Sequence, residues 1–219
     1  MLIVLKTKWL FDIICTKNVL CFNVIQFMFI QKFFKVIKAI NRKLNRAWST
    51  FCTHIILWGN GIKHHDVIAY GIPLVNVSLG GKCFIGRKLR ITTGVHYSLV
   101  GSLGSRILVG RTGVLKIGNN VGMSNATIVA QESVTIGDNV MIGGGVQIFD
   151  TNFHSTDASI RTSGKETPDD VKKKSVVIGN NVFIGTNVII CKGVVIPDEA
   201  IIPAGSVVYS SKDSDFVLK

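Results

Sequence analysis

The sequence has no C-x-x-C pair, few acids and no long uninterrupted apolar run. Its five cysteines, Cys15, Cys21, Cys52, Cys83 and Cys191, are odd in number and scattered. That pattern fits neither a disulfide framework nor a zinc site, and it points to a reducing cytosol. The first thirty residues are rich in Leu, Ile, Val and Phe, yet Asp12, Lys17, Asn18, Asn23 and Gln26 interrupt them. The resulting runs are shorter than the ~20 apolar residues of a membrane-spanning helix. No small-residue cleavage site follows the stretch cleanly, so no secretory signal is expected. Only 13 acids face 25 Lys and Arg, a formal net charge of +12. Residues 1–50 hold nine of those cations and one acid, a net of +8. The basic excess therefore belongs mostly to the N-terminal segment. No helix-turn-helix, RRM or zinc-finger pattern accompanies it, which excludes nucleic acid as the expected partner.

What the chain does have is apolar residues: 47% hydrophobic against 17% charged over 219 residues. That suffices for a substantial core, arranged as one main domain with an appendage. Residues 1–66 read as a basic, partly helical segment and 67–219 as the main domain. From Ile30, the residues Phe33, Phe34, Ile37, Ile40, Leu44 and Trp48 recur at helical spacings, with Lys32, Lys35, Lys38, Arg42, Lys43 and Arg46 on the other faces. This is an amphipathic helix. Two readings stand side by side: a helix lying on an anionic membrane surface through residues 26–50, or a helix that caps the neighbouring domain with its lysines solvated.

The main domain repeats every six residues. Ile178-Gly-Asn-Asn-Val-Phe, Ile184-Gly-Thr-Asn-Val-Ile, Ile190-Cys-Lys-Gly-Val-Val, Ile196-Pro-Asp-Glu-Ala-Ile and Ile202-Pro-Ala-Gly-Ser-Val follow one another, and Val208 opens a further copy. The same phase appears at Ile136, Ile142 and Ile148, and at Ile117, Met123 and Val129, with weaker copies from Ile85 and Ile91. A period of six, led by an aliphatic residue and followed by Gly, Asn or Asp, does not suit a helix of period 3.6. It suits short parallel strands joined by tight corners, where Gly and Asn accept a left-handed backbone. Three hexads would make one triangular coil, with the lead residues stacked inside coil upon coil.

The phase breaks once. Ile148 and Ile178 are thirty residues apart, one eighteen-residue coil plus twelve, so a loop over residues 150–176 is expected to be extruded from a continuing solenoid. It begins Phe149-Asp-Thr-Asn-Phe-His-Ser-Thr-Asp157 and ends near Lys172-Lys173-Lys174. Loops raised from a rigid scaffold are where functional side chains collect. His154 suits a general base, since a histidine is largely neutral at cytosolic pH and can take a proton from a hydroxyl.

The hexads and the loop histidine resemble the hexapeptide-repeat acyltransferases, all-β proteins built as a left-handed parallel β-helix. Within them the chain looks like the maltose/galactoside and polysaccharide O-acetyltransferase group. The resemblance covers roughly residues 67–208. It implies acetyl transfer from acetyl-CoA to a sugar hydroxyl, in surface polysaccharide or glycan synthesis, with His154 as catalytic base and no metal. It also implies a homotrimer whose grooves between copies hold the substrates, in the cytoplasm and at the inner face of the membrane if the N-terminal helix binds lipid. Ser124 or Asn125 would position the hydroxyl or the oxyanion, while Asp150 and Asp157 would bind the acceptor or orient His154. Phe183, Thr186, Ala204 and Lys212 would contact CoA. A zinc-dependent carbonic anhydrase on the same solenoid needs several coordinating histidines in the coils, and beyond His96 there is only His154. Relatives commonly continue past the last hexad with a further segment and a terminal helix, whereas this chain runs from Val207-Val-Tyr-Ser-Ser211 to Lys219. The alternative is accordingly a non-catalytic solenoid serving as an assembly platform.

Overall fold

The structure, a computed structural model, describes residues 2–94 and 104–209, with side chains described from residue 28 onward. It divides into two compact units, residues 1–44 and 45–219. Helix α1 (Leu2–Gly59) meets neither Gly nor Pro before Gly59, which removes both common helix breakers. It ends in a hydrogen-bonded C-terminal cap: Gly61 N donates to Trp58 O and Ile62 N to Leu57 O, with Gly61 at φ +70°. Glycine adopts that left-handed backbone without a Cβ clash.

Six coils of parallel β-helix follow. The first holds β1 (Ile68–Tyr70), β2 (Leu74–Val77) and β3 (Lys82–Ile85), and the second β4 (Arg90–Thr92), β5 (Arg106–Val109) and β6 (Val114–Ile117). The third holds β7 (Gly122–Ser124), β8 (Thr127–Ala130) and β9 (Ser133–Ile136), and the fourth β10 (Met141–Ile142), β11 (Gln147–Phe149) and β12 (Val176–Ile178). The fifth holds β13 (Phe183–Ile184), β14 (Ile189–Ile190) and β15 (Val195–Ile196), and the last described strands are β16 (Ile201–Ile202) and β17 (Val207–Val208). Every third strand pairs in parallel, which gives three sheets, two of six strands and one of five. This is the parallel solenoid expected from the spacing and the left-handed hexapeptide-repeat β-helix that the resemblance implies.

The lead residues form the interior. Ile91, Met123, Ile142, Ile184 and Ile202 stack in one buried column and Ile107, Ile128, Ile148, Ile190 and Val208 in another. Ile85, Ile117, Ile136, Ile178 and Ile196 line the third sheet. The residues four places after a lead, including Val121, Val140, Val182 and Val188, are buried at the corners. One expectation is corrected. Val129 is not a lead: Ile128 pairs with Ile148 and Ile107 in the interior, and Val129 pairs with Phe149 and Leu108. Asn125, at φ +43°, makes the preceding corner one residue shorter, so the phase slips there.

One corner is held by side-chain amides and carboxylates. Asn119, Asp138, Asn180 and Asp198 each accept, through Oδ1, from a backbone amide of the coil before: Arg87, Asn119, Asp138 and Asn180 respectively, at 2.6–2.9 Å. Beside them, Asn120 Nδ2 donates to Asn139 Oδ1 at 2.9 Å and Asn139 Nδ2 to Asn181 Oδ1 at 3.0 Å. Asn120, Asn139 and Asn181 all have positive φ, from 55° to 58°. Asparagine serves both needs of the Ile-Gly-Asn/Asp-Asn motif, a left-handed corner and a bond to the next coil.

At the other end of the stack, the last turns of α1 cover the first coil. Thr50 Oγ1 accepts from Ala69 N at 3.1 Å, and Asn60 accepts from Val77 N at 2.8 Å through Oδ1. These bonds occupy strand edges that would otherwise be unpaired.

Candidate functional site

The loop leaves the solenoid through a closed neck. Thr151 and Lys173 pair as an antiparallel bridge, Asn152 N donates to Lys172 O at 3.1 Å, and Lys174 N donates to Asp150 O at 2.9 Å. Asp150 sits at its base with no exposed surface. Its carboxylate accepts from Gln131 N at 2.8 and 3.0 Å and from Glu132 N at 2.7 Å. Burial pushes its carboxyl above the ordinary range, while those amides oppose the shift. Asp150, expected to bind an acceptor or orient His154, here anchors the loop to the preceding coil.

Past the neck, Phe153 takes φ +63°, a conformation costing a bulky residue about 1–3 kcal/mol. Its ring packs on Phe149 at 5.4 Å between centroids, and the turn throws the next side chain outward. That side chain is His154, 72% exposed. Its Nδ1 lies 2.8 Å from Glu166 Oε2, and Glu166 Oε1 accepts from Ser155 N. Glu166 is held below the ordinary glutamate range, first by the bond to His154 and then by the Ser155 amide. An ionised carboxylate only accepts, so in the neutral ring Nδ1 carries the proton and Nε2 the lone pair. Glu166 also lines a cleft of about 320 Å³ together with Gln131, Thr151, Phe153, Thr167 and Lys173.

Asp157 does not orient the histidine. It caps the short helix α2 (Ala158–Thr162), accepting from Ser159 N at 2.8 Å and Ser159 Oγ at 2.7 Å. These bonds, the hydroxyl first, lower its pKa. Arg161 ties α2 back through Nη1 to Ser155 O at 2.7 Å.

The remaining expected residues fall into two groups. Ser124 and Phe183 line a shallow depression of about 390 Å³ on the sheet containing β7 and β13, with Arg90, Thr92, Asn139 and Met141. Phe183 is 47% and Met141 61% exposed. Asn125, next to Ser124, is buried, and its Oδ1 accepts from Gly94 N at 2.8 Å. Its amide serves the corner, which leaves Ser124 as the accessible member of the pair. Thr186 and Ala204 meet at a neighbouring corner, where Gly205 N donates to Thr186 O at 2.8 Å. There a Cβ on Gly185 would fall 2.5 Å from Ala204 N, so the coils touch backbone to backbone. His154 is not among the residues lining the depression, and Lys212 lies outside the described residues.

Two thiols are unsuited to nucleophilic work, because burial pushes Cys83 up to about 12 and also raises Cys191. Only a thiolate attacks. Among the described residues no three His, Cys, Asp or Glu side chains gather as a metal site.

Residues 175–210 match the family described as hexapeptide repeat of succinyl-transferase. The fold is similar to that of a point mutant of AntD, an N-acyltransferase from Bacillus cereus solved with dTDP and coenzyme A: TM-score 0.52, 16% identity, 72% of this chain and 77% of that one. A hexapeptide-repeat-containing acetyltransferase from Vibrio cholerae O1 biovar eltor, solved with acetyl coenzyme A, aligns at TM-score 0.43 with 22% identity, over 68% of this chain and 61% of that chain. No curated protein gives a significant match. The likeness to AntD is one of fold; the residues of the loop carry the rest.

Sequence reasoning missed Glu166. The available signal was weak: it is the first acid after Asp157 in a loop rich in Ser, Thr and Lys.

Proposed function

We propose that the chain is an acyltransferase that moves an acetyl group from acetyl-CoA to a sugar hydroxyl in surface polysaccharide or glycan synthesis. The observation that carries the reading is the pairing of His154 with Glu166, which frees one ring nitrogen and fixes its tautomer. Nε2 takes the proton of the acceptor hydroxyl as its oxygen attacks the thioester carbonyl. Glu166 stabilises the imidazolium that forms, and the proton then passes to the departing CoA sulfur. The products are the acetyl ester and free CoA thiol, without an acyl-enzyme. Direct attack depends on holding both substrates close. The depression bearing Phe183, Met141 and Ser124 and the bare corner of Gly185 and Ala204 fit an acyl chain and a pantetheine arm. AntD, of the same fold and solved with coenzyme A, supports a CoA thioester as donor.

The separation of His154 from that depression within one chain supports a homotrimer, in which the loop of one copy serves the coils of the next. The reading puts the protein in the cytoplasm, at the inner face of a membrane touched by residues 26–50. AntD's N-acyl chemistry makes an amino sugar the rival acceptor, so both classes belong in the test. Purified protein is incubated with acetyl-CoA and a panel of sugars and amino sugars while thiol release is followed. His154→Ala lowers the rate by about 10²–10⁴ if the histidine is the base. Equal turnover by both proteins overturns that role. Absence of both turnover and CoA binding favours the assembly platform.

A further inference from the structure

Within the second unit, residues 45–59 of α1 pack on the first coil through a side of mixed character. Ser49, Thr53 and Leu57, four apart, are buried, and Thr50 hydrogen-bonds to Ala69. The opposite side carries Trp48, Phe51, Ile55 and Trp58, each more than half exposed. A helix that merely capped the solenoid would turn its apolar stripe inward. This one buries Leu57 and turns Trp48, Phe51, Ile55 and Trp58 away, so the capping reading does not account for those four. In the first unit the described part of α1 has the same character: Ile30, Phe33, Ile37, Ile40 and Leu44 are exposed, and Lys32, Lys35, Lys38, Arg42 and Lys43 occupy other positions. No Asp or Glu occurs between residues 28 and 59.

We infer that Trp48, Phe51, Ile55 and Trp58 form a docking face for an anionic phospholipid surface, so that the end of the β-helix covered by α1 is the end that meets the membrane. The charge decides the occupant. From residue 28 to its end the helix carries cations and no acids, which attracts anionic headgroups, whereas a second copy of the same segment would bring like charges together. Tryptophan suits the boundary between headgroups and acyl chains. No described helix is long and apolar enough to cross a membrane; with Trp48, Phe51, Ile55 and Trp58 on one side, the 45–59 segment would lie along the surface. The inference extends lipid contact beyond the residues 26–50 expected from sequence. Because the 45–59 segment is hydrogen-bonded to the first coil, the contact also orients the solenoid.

The test uses the full chain with vesicles of phosphatidylcholine alone and of phosphatidylcholine mixed with phosphatidylglycerol. The parent is expected to sediment with the mixed vesicles, less so at high salt, with tryptophan emission shifted to the blue. Phe51→Ser/Trp58→Ser, with both substitutions at exposed positions, is expected to lower the partition constant by about tenfold or more. Sedimentation of this variant equal to that of the parent would overturn the docking face, as would failure of the parent to bind either vesicle. Lipid-free assemblies dissolved by the double substitution would make a second copy the occupant, and would overturn it too. Acetyl transfer to a soluble acceptor, unchanged in the variant, is read separately, so the two proposals fail independently.

Discussion

His154 Nδ1 and Glu166 Oε2 stand 2.8 Å apart across a loop whose two arms are closed at its base. The second Glu166 oxygen is bound to the Ser155 amide, so the carboxylate cannot swing away without breaking a backbone bond. This arrangement sets the direction of the free ring nitrogen.

Exchanging that carboxylate for an amide reverses the proton on the ring. In Glu166→Gln, an amide group donating to Nδ1 would move the proton to Nε2, the atom required as base. The expected loss in kcat is about 10²-fold or more, by analogy with wrong-tautomer substitutions in other histidine bases. Glu166→Ala, which leaves the tautomer free, loses less. Steady-state rates with saturating acetyl-CoA check the order, and equal rates for all three proteins would remove Glu166 from the mechanism.

The same bond sets a pH limit on the loop. Because the folded pKa of Glu166 is depressed, its contribution is complete above the ordinary glutamate value. It is lost as pH falls from about 4.3 through the lowered folded value. Hydrogen exchange of peptides spanning residues 150–170, corrected for intrinsic rates, should accelerate in that acid window. Glu166→Gln should not show the step.

Asp150 is expected to affect stability and not acceptor binding. Asp150→Ala removes the buried carboxylate that accepts from the Gln131 and Glu132 amides, at about 1.5–3 kcal/mol for each hydrogen bond to the charged group. Asp150→Asn keeps an acceptor and no charge to bury, so it costs less at neutral pH. Denaturant melts order the variants, while a raised KM with unchanged stability would restore a binding role.

Asn139 separates the two functions of a corner asparagine. Asn139→Ala loses the bonds to Asn120 and Asn181 and forces a Cβ residue without local hydrogen bonding to hold φ +58°. Asn139→Gly loses the bonds alone. Alanine should therefore destabilise by about 1 kcal/mol more than glycine, as measured by thermal unfolding.

The solenoid could be read from sequence because its constraint recurs at every coil. Ile178, Ile184, Ile190, Ile196 and Ile202 each fill an interior place that the period assigns. Val129 went astray where a single corner at Asn125 dropped a residue, an event to which a periodic reading is blind. His154 stood out because it sits where the repeat stops. Its partner Glu166 was hidden, since it lies twelve positions further along the loop, beyond α2, and no period links one to the other. Asp150 and Asp157 were expected to bind the acceptor or orient His154 because a sequence does not distinguish a carboxylate free to meet a ligand from one capping backbone amides. The stripe read from sequence ended at Trp48; its continuation through Phe51, Ile55 and Trp58, on the side away from the first coil, appears only in the folded chain.

The closed neck has a consequence for how such a protein can be altered. β11 pairs with β8 and β14, and β12 with β9 and β15, on either side of the excursion. The coils are thus stitched without any help from residues 152–172. The neck is a socket: the segment beyond it can be lengthened, shortened or exchanged for another while the scaffold below keeps its register.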